Sequence, residues 1–220
     1  MSGPVVHIGG LHHRVSGRFT LDVPSLTIGA GVTAVLGRNG CGKSTLLRIL
    51  ATVIGPQQGD LVVGGVRVDD ASLVTVRRGL GYLPQDDSVP RRLRAFDHVD
   101  LVAVMREVDR DTRGRRAAVH RALADVRMDD LAHERCSRLS GGQRRRVAVA
   151  AALVGDAPYL VLDEPDAHLD REQRAHLAEV LRGRAATGAT IVLATHDHVW
   201  AQLVADRTVT IDDGRVVDAG

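Results

Sequence analysis

Lysine is almost absent from this chain of 220 residues: of the 29 Lys and Arg side chains, a single one, Lys43, is a lysine. Where one ammonium survives among guanidinium groups, it marks the first place to look for chemistry. Cysteine is scarce too. The two, Cys41 and Cys136, lie far apart with no CxxC, which excludes a metal knuckle and reads as reduced thiols. No stretch of about 18 apolar residues runs without a charge, so nothing here reads as a bilayer-spanning helix. Met1 to Gly10 lacks a basic leader followed by a long apolar segment, and the expectation is a mature cytosolic protein. A formal charge of +2 is too slight to indicate a nucleic-acid binder by itself. What is present is a folded composition: 44% hydrophobic and 25% charged residues with only 7 prolines predict one domain, or one core with a smaller lobe.

Along the chain the texture changes twice. Val5 to Ile8, Phe19 to Ile28 and Val32 to Leu36 are short apolar runs separated by glycines, as in strands joined by turns. Turns such as Gly29-Ala30-Gly31 leave no room for crossover helices, so some of these strands pair antiparallel. Residues 45–53 have helical character, and 62–68 reads as a strand before Tyr82-Leu83. From about Arg91 to His133, blocks of Ala, Leu, Val, Arg and acids predict a mostly helical lobe. A helix over 143–153, a strand over 159–162, a helix near 171–182 and a strand over 190–194 then restore parallel α/β architecture.

The most informative segment is the run from Gly37 to Thr45, which fits G-x-x-x-x-G-K-[ST] between an apolar strand and a helix. Gly37, Gly40 and Gly42 permit tight backbone geometry, so the amides from Asn39 through Cys41 to Ser44 can converge on phosphate oxygens at a positive helix end. Lys43 would reach the β and γ phosphates, the Ser44 hydroxyl would ligate Mg²⁺, and Thr45 would follow at the α phosphate. Asp163 and Glu164 close the apolar run from Tyr159. A buried parallel strand delivers ligands at its C-terminal end, so Asp163 suits Mg²⁺ and Glu164 suits accepting a proton from an attacking water. The bland readings are a glycine turn that caps a helix and two acids that end a strand.

These residues resemble the ATP-binding cassette family, and the resemblance covers essentially the whole chain. Besides the glycine loop, the family's signature reads here as Leu139-Ser140-Gly141-Gly142-Gln143, its Q-loop glutamine matches Gln85, its switch histidine matches His196, and the acid of its D-loop matches Asp170. The resemblance implies an α/β P-loop NTPase core with a small antiparallel β region and an inserted helical signature subdomain. It divides the chain into a core, 1–88 and 145–220, and a helical lobe, 89–144. It implies ATP and Mg²⁺ as ligands, Gln85 at Mg²⁺ or the attacking water, and His196 at the γ phosphate. It also implies a head-to-tail dimer in which Ser140, Gly141, Gly142 and Gln143 of one subunit close over the other's nucleotide, with Asp170 coupling the two sites. On chemistry alone, Ser140 to Gln143 read equally as a second phosphate-binding helix end or as an ordinary serine-capped helix.

Two departures stand out. The family stacks an aromatic residue on adenine upstream of the loop lysine, whereas this chain has Arg14-Val15 near that register and Phe19 as the nearest aromatic, so base stacking is expected to be weak or shifted. Cys41 occupies a loop position where Ala or Ser is frequent, and its neighbourhood to Lys43 and a helix end predicts a reactive thiol. His168 also matches a histidine found in some soluble, ribosome-associated members. The expected function is the ATP-hydrolysing subunit of a membrane transporter, at the cytoplasmic face of the cell membrane. Its partners would be separate transmembrane permease subunits and a second cassette, with no nucleic acid. Gly79 to Gln85 leans towards export, and the Arg91-Arg92-Arg94 cluster suits anionic headgroups, partner acids or a solvated face. The alternatives are a soluble cassette in translation or nucleic-acid maintenance and a P-loop metabolic kinase, which would leave the signature unexplained.

Overall fold

Tyr159–Asp163 and Thr190–Ala194 are buried at every position, as parallel strands covered on both faces must be. They are β7 and β8 of a computed structural model that describes residues 5–16, 19–86, 89–109 and 111–219. Before them run β1 (Val6–Ser16), β2 (Phe19–Ile28), β3 (Gly31–Leu36), α1 (Lys43–Leu50), β4 (Gln58–Val63), β5 (Val66–Arg67), α2 (Leu73–Arg78), β6 (Leu80–Leu83), α3 (Ala95–Met105), α4 (Thr112–Asp125) and α5 (Gly141–Leu153). Between β7 and β8 lies α6 (Arg171–Ala186), and after β8 come α7 (His198–Val204), β9 (Arg207–Asp212) and β10 (Arg215–Ala219). Asp87 and Ser88, where the first core segment was expected to end, lie outside the described residues, as do Met1 and Gly220.

The strands form one sheet in the order β5-β4-β1-β2-β10-β9-β3-β8-β7-β6. At one end β6, β7, β8, β3 and β9 run parallel. At the other, β1, β2, β4 and β5 pair antiparallel, and β10 joins the halves by pairing antiparallel to β9 and parallel to β2. This is the α/β class, with an antiparallel region, that the sequence predicts. Period-two alternation sorts the central side chains: Leu160, Leu162, Ile191 and Leu193 enter a core with α3 to α7, while Val161, Val192 and Ala194 enter another with α1 and the antiparallel strands. No helix among the described residues is long and apolar enough to cross a membrane.

Several boundaries differ from expectation, each for a local reason. α1 stops at Leu50 because Thr52 turns left-handed, with φ 57°. The strand expected over 62–68 is a hairpin, broken where Gly64 and Gly65 adopt φ 58° and 80°. β1 continues past Gly9-Gly10 to Ser16, absorbing those residues as an irregularity in its register with β4. The C-terminal hairpin of β9 and β10 was unread, although Asp213-Gly214, with φ 41° and 77°, is the two-residue turn that such a pairing favours.

Candidate nucleotide-binding site

β3 leads into the glycine loop, and α1 leaves it. At Gly37, where φ is 148°, a Cβ would stand 2.2 Å from the carbonyl oxygen of Ile211, so only glycine lets the loop pass β9. At Gly42, with φ 112°, a Cβ would meet Phe19 Cζ at 3.3 Å. Gly42 caps α1 without a side-chain hydrogen bond, which leaves the first-turn amides to a ligand. Lys43 is only 7% exposed, and its Nζ donates to the carbonyls of Gly37 at 2.7 Å and Arg38 at 3.0 Å. The lone lysine is thus arched over the loop it belongs to.

Asn39, Gly40, Gly42, Lys43, Ser44 and Thr45 line a cavity of about 440 Å³ together with Gln85, Glu164, Val15 and Phe19, within the size range of small-molecule sites. The expectation of a shifted aromatic is resolved by strand pairing: Ser16 lies opposite Phe19 across β1 and β2, and Val15 and Phe19 both reach the cavity wall. Cys41 is a correction. It is 6% exposed, packs in the core beneath the loop, and its amide donates to Arg38 O at 3.2 Å. Its thiol therefore lacks the access that reactivity needs.

Asp163, at the end of β7, is 2% exposed. Burial pushes its carboxyl above the usual range, a hydrogen bond from Ser44 and the charges of Arg145 and Lys43 oppose that push, and Glu164 adds to it. Ser44 Oγ lies 3.4 Å from Gln85 Oε1, so a hydroxyl, an amide oxygen and a carboxylate converge. That all-oxygen set fits a hard cation that takes its other ligands from phosphate and water. Among the described residues no group of three His, Cys, Asp or Glu could hold a metal unaided. Glu164 adopts φ 52°, its amide donates to Ala194 O at 2.9 Å, and its Oε1 lies 3.4 Å from His196 Nδ1. The histidine lies two residues past β8, and the residue after it, Asp197, caps α7 through Trp200 N and pairs with Arg174 at 2.6 Å.

Ser140, Gly141, Gly142, Gln143 and Asp170 are not among the residues lining this cavity. Ser140 caps α5 in a reciprocal box with Gln143, which starts the helix at Gly141, earlier than the sequence suggests. Asp170 caps α6 in the same way through Gln173. The two caps meet near His168, a left-handed residue with φ 62°, whose carbonyl oxygen would lie 2.6 Å from a Cβ at Gly142. Arg145 was missed. It is fully buried, with its guanidinium on backbone carbonyls beneath Gln85 and Glu164. The available signal was its spacing: Gly142, Arg145 and Val149 share one face of α5.

A family model described as ABC transporter matches residues 21–167. Phosphate import ATP-binding protein PstB 2 of Natronomonas pharaonis is 34% identical over 97% of this chain and 78% of its own length. Thiamine import ATP-binding protein ThiQ of a Jannaschia species is 35% identical over 97% and 91%. Nod factor export ATP-binding protein I of Mesorhizobium japonicum is 33% identical over 98% of this chain but only 63% of its own length. Among solved structures, a dimeric ATP-binding cassette in a post-hydrolysis state, bound to ADP and Pi, superposes with a TM-score of 0.87 at 25% identity, covering 98% of this chain and 97% of the other.

Proposed function

This chain belongs to the ABC transporter family and is an ATPase, and from that premise we propose that its hydrolysis drives a solute across a membrane through separate transmembrane subunits. One observation carries the chemical half of this reading: Lys43, Ser44, Gln85 and Glu164 line a single cavity, with His196 within 3.4 Å of Glu164. Amides from Asn39 to Ser44 and the Lys43 ammonium bind the phosphates, while Phe19 and Val15 offer an apolar wall to the base. Ser44, Gln85 and Asp163 would hold Mg²⁺, which would supply charge neutralisation to the phosphates. Glu164 accepts the proton of the water that attacks the γ phosphorus, the bond to the β-phosphate oxygen breaks, and ADP and phosphate leave. His196 orients that water and Glu164 together.

The core over 1–88 and 145–220 holds the nucleotide, and the lobe over 89–144 faces the membrane subunits. Ser140 to Gln143 act on the nucleotide of a second cassette, and Asp170 links the two sites. Export, towards which Gly79 to Gln85 leans, is not favoured by the relatives, most of which are named for import, as of phosphate and thiamine, and one for Nod factor export.

The test is Glu164→Gln. We expect the hydrolysis rate to fall by about 10²- to 10⁴-fold, the size of a lost general base, while binding of a fluorescent ATP analogue is unchanged and an ATP-dependent dimer accumulates on gel filtration. Hydrolysis at the parent rate would overturn the role of Glu164.

A further inference from the structure

Three consecutive arginines, Arg144, Arg145 and Arg146, follow the signature, and only the middle one has no exposed surface. Its guanidinium donates into two separate segments of main chain. Nη1 reaches Pro84 O at 2.9 Å and Gln85 O at 3.3 Å, just beyond β6. Nε and Nη2 reach Glu164 O at 3.2 and 2.8 Å, and Nη2 also donates to Asp163 O at the end of β7. The planar fork of a guanidinium can serve several acceptors at fixed angles, which an ammonium cannot. Burying such a charge is costly unless its donors are engaged, and here they are engaged on the carbonyls of Pro84 and of three residues of the candidate site, Gln85, Asp163 and Glu164.

The conformation of Glu164 makes those bonds consequential. A non-glycine residue at φ 52° is held only where its surroundings over-determine it. Its amide is tied to Ala194 O at 2.9 Å, and its carbonyl is tied to Arg145. Together these fix the plane from which the carboxylate leaves the backbone. Gln85 is held by the same guanidinium, on its own carbonyl, and its side chain lies 3.4 Å from Ser44. We infer that Arg145 is a positioning residue for hydrolysis, one side chain of the signature helix that fixes the main chain beneath both Gln85 and Glu164. Because α5 begins at the signature, a displacement of that helix reaches the base and the Q-loop glutamine through Arg145. This rests on the assignment of Glu164 as base.

Arg145→Gln, Arg145→Lys and Arg145→Gln combined with Glu164→Gln separate the possibilities, read as kcat, KM, affinity for a fluorescent ATP analogue and melting temperature. Arg145→Gln is expected to lower kcat by about 10- to 100-fold, the effect of displacing a catalytic group by roughly an ångström, with analogue affinity retained. Arg145→Lys, which keeps charge but loses the fork, falls between it and the parent and carries the test if the glutamine variant does not fold. In the Glu164→Gln background Arg145→Gln costs less than it does in the parent, since the part acting through the base is non-additive with it and only the part through Gln85 remains. An unchanged kcat in a folded variant, a loss of analogue affinity matching the loss of rate, a lysine variant at the parent rate, or multiplying losses in the double variant would each overturn the role of Arg145 alone. A Glu164→Gln chain that hydrolyses at the parent rate removes the base, and this inference with it.

Discussion

Asp163 is stabilised poorly by the fold that needs it. Its carboxylate is buried beneath the loop, and burial raises its proton affinity beyond what Ser44, Arg145 and Lys43 offset. A raised folded-state pKa means that the native chain holds the proton more tightly than the unfolded chain, so the stability from this group is greatest in acid and falls as pH rises from the unfolded value of 3.8 through the folded one. Asp163→Asn removes that penalty. We expect the variant to melt higher than the parent at pH 7, with the difference shrinking as the buffer approaches pH 4, while hydrolysis is lost. Parallel melting curves across that range, showing a constant difference or none, would contradict the assignment. Such a gain at the cost of activity is the trade-off that marks a functional carboxylate.

At the scale of elements, the start of α5 separates two demands on adjacent glycines. A Cβ at Gly141 would meet nothing within 4 Å, whereas one at Gly142 would press on the carbonyl of His168 at 2.6 Å. Gly142→Ala is therefore expected to lose about 1–3 kcal/mol to overpacking, partly offset by helix propensity, and to melt a few degrees lower. Gly141→Ala should melt at or above the parent while hydrolysis falls, because its open face is the one available to a second cassette. Equal melting temperatures for the two variants would remove the distinction. The same elements show what the sequence makes legible. The glycine loop and the signature could be read because their backbone geometry demands particular residue types at fixed spacing. Arg145 was far less legible, because Arg144, Arg145 and Arg146 look alike as a charged run and only helical phase aims the middle one inward. Phe19 was legible only as the nearest aromatic, since its approach to Gly42 depends on the pairing of β1 with β2. Cys41 misled in the opposite direction: its neighbours suggested reactivity, but the loop turns its thiol into the core.

For the whole molecule, the decisive fact is that the glycine loop and the signature helix end do not share one cavity. Lys43 and Ser44 line the nucleotide pocket, and Ser140 and Gly141 do not. On the proposed function such a chain carries two half-sites, which a head-to-tail pair with two-fold symmetry would complete. Complementation tests this directly. Lys43→Ala disables the loop of one chain, and Ser140→Arg places a bulky cation on the signature of another while each leaves the other half-site intact. Either variant alone should hydrolyse ATP poorly at every concentration. When they are mixed one to one, random pairing makes half of the dimers mixed, and each of those has one intact composite site of two, so roughly a quarter of the parent rate per chain should return. The recovered rate should rise with chain concentration, as mass action requires of a site formed only on association. If each chain instead completed its own site, no mixture would regain activity beyond the sum of its parts.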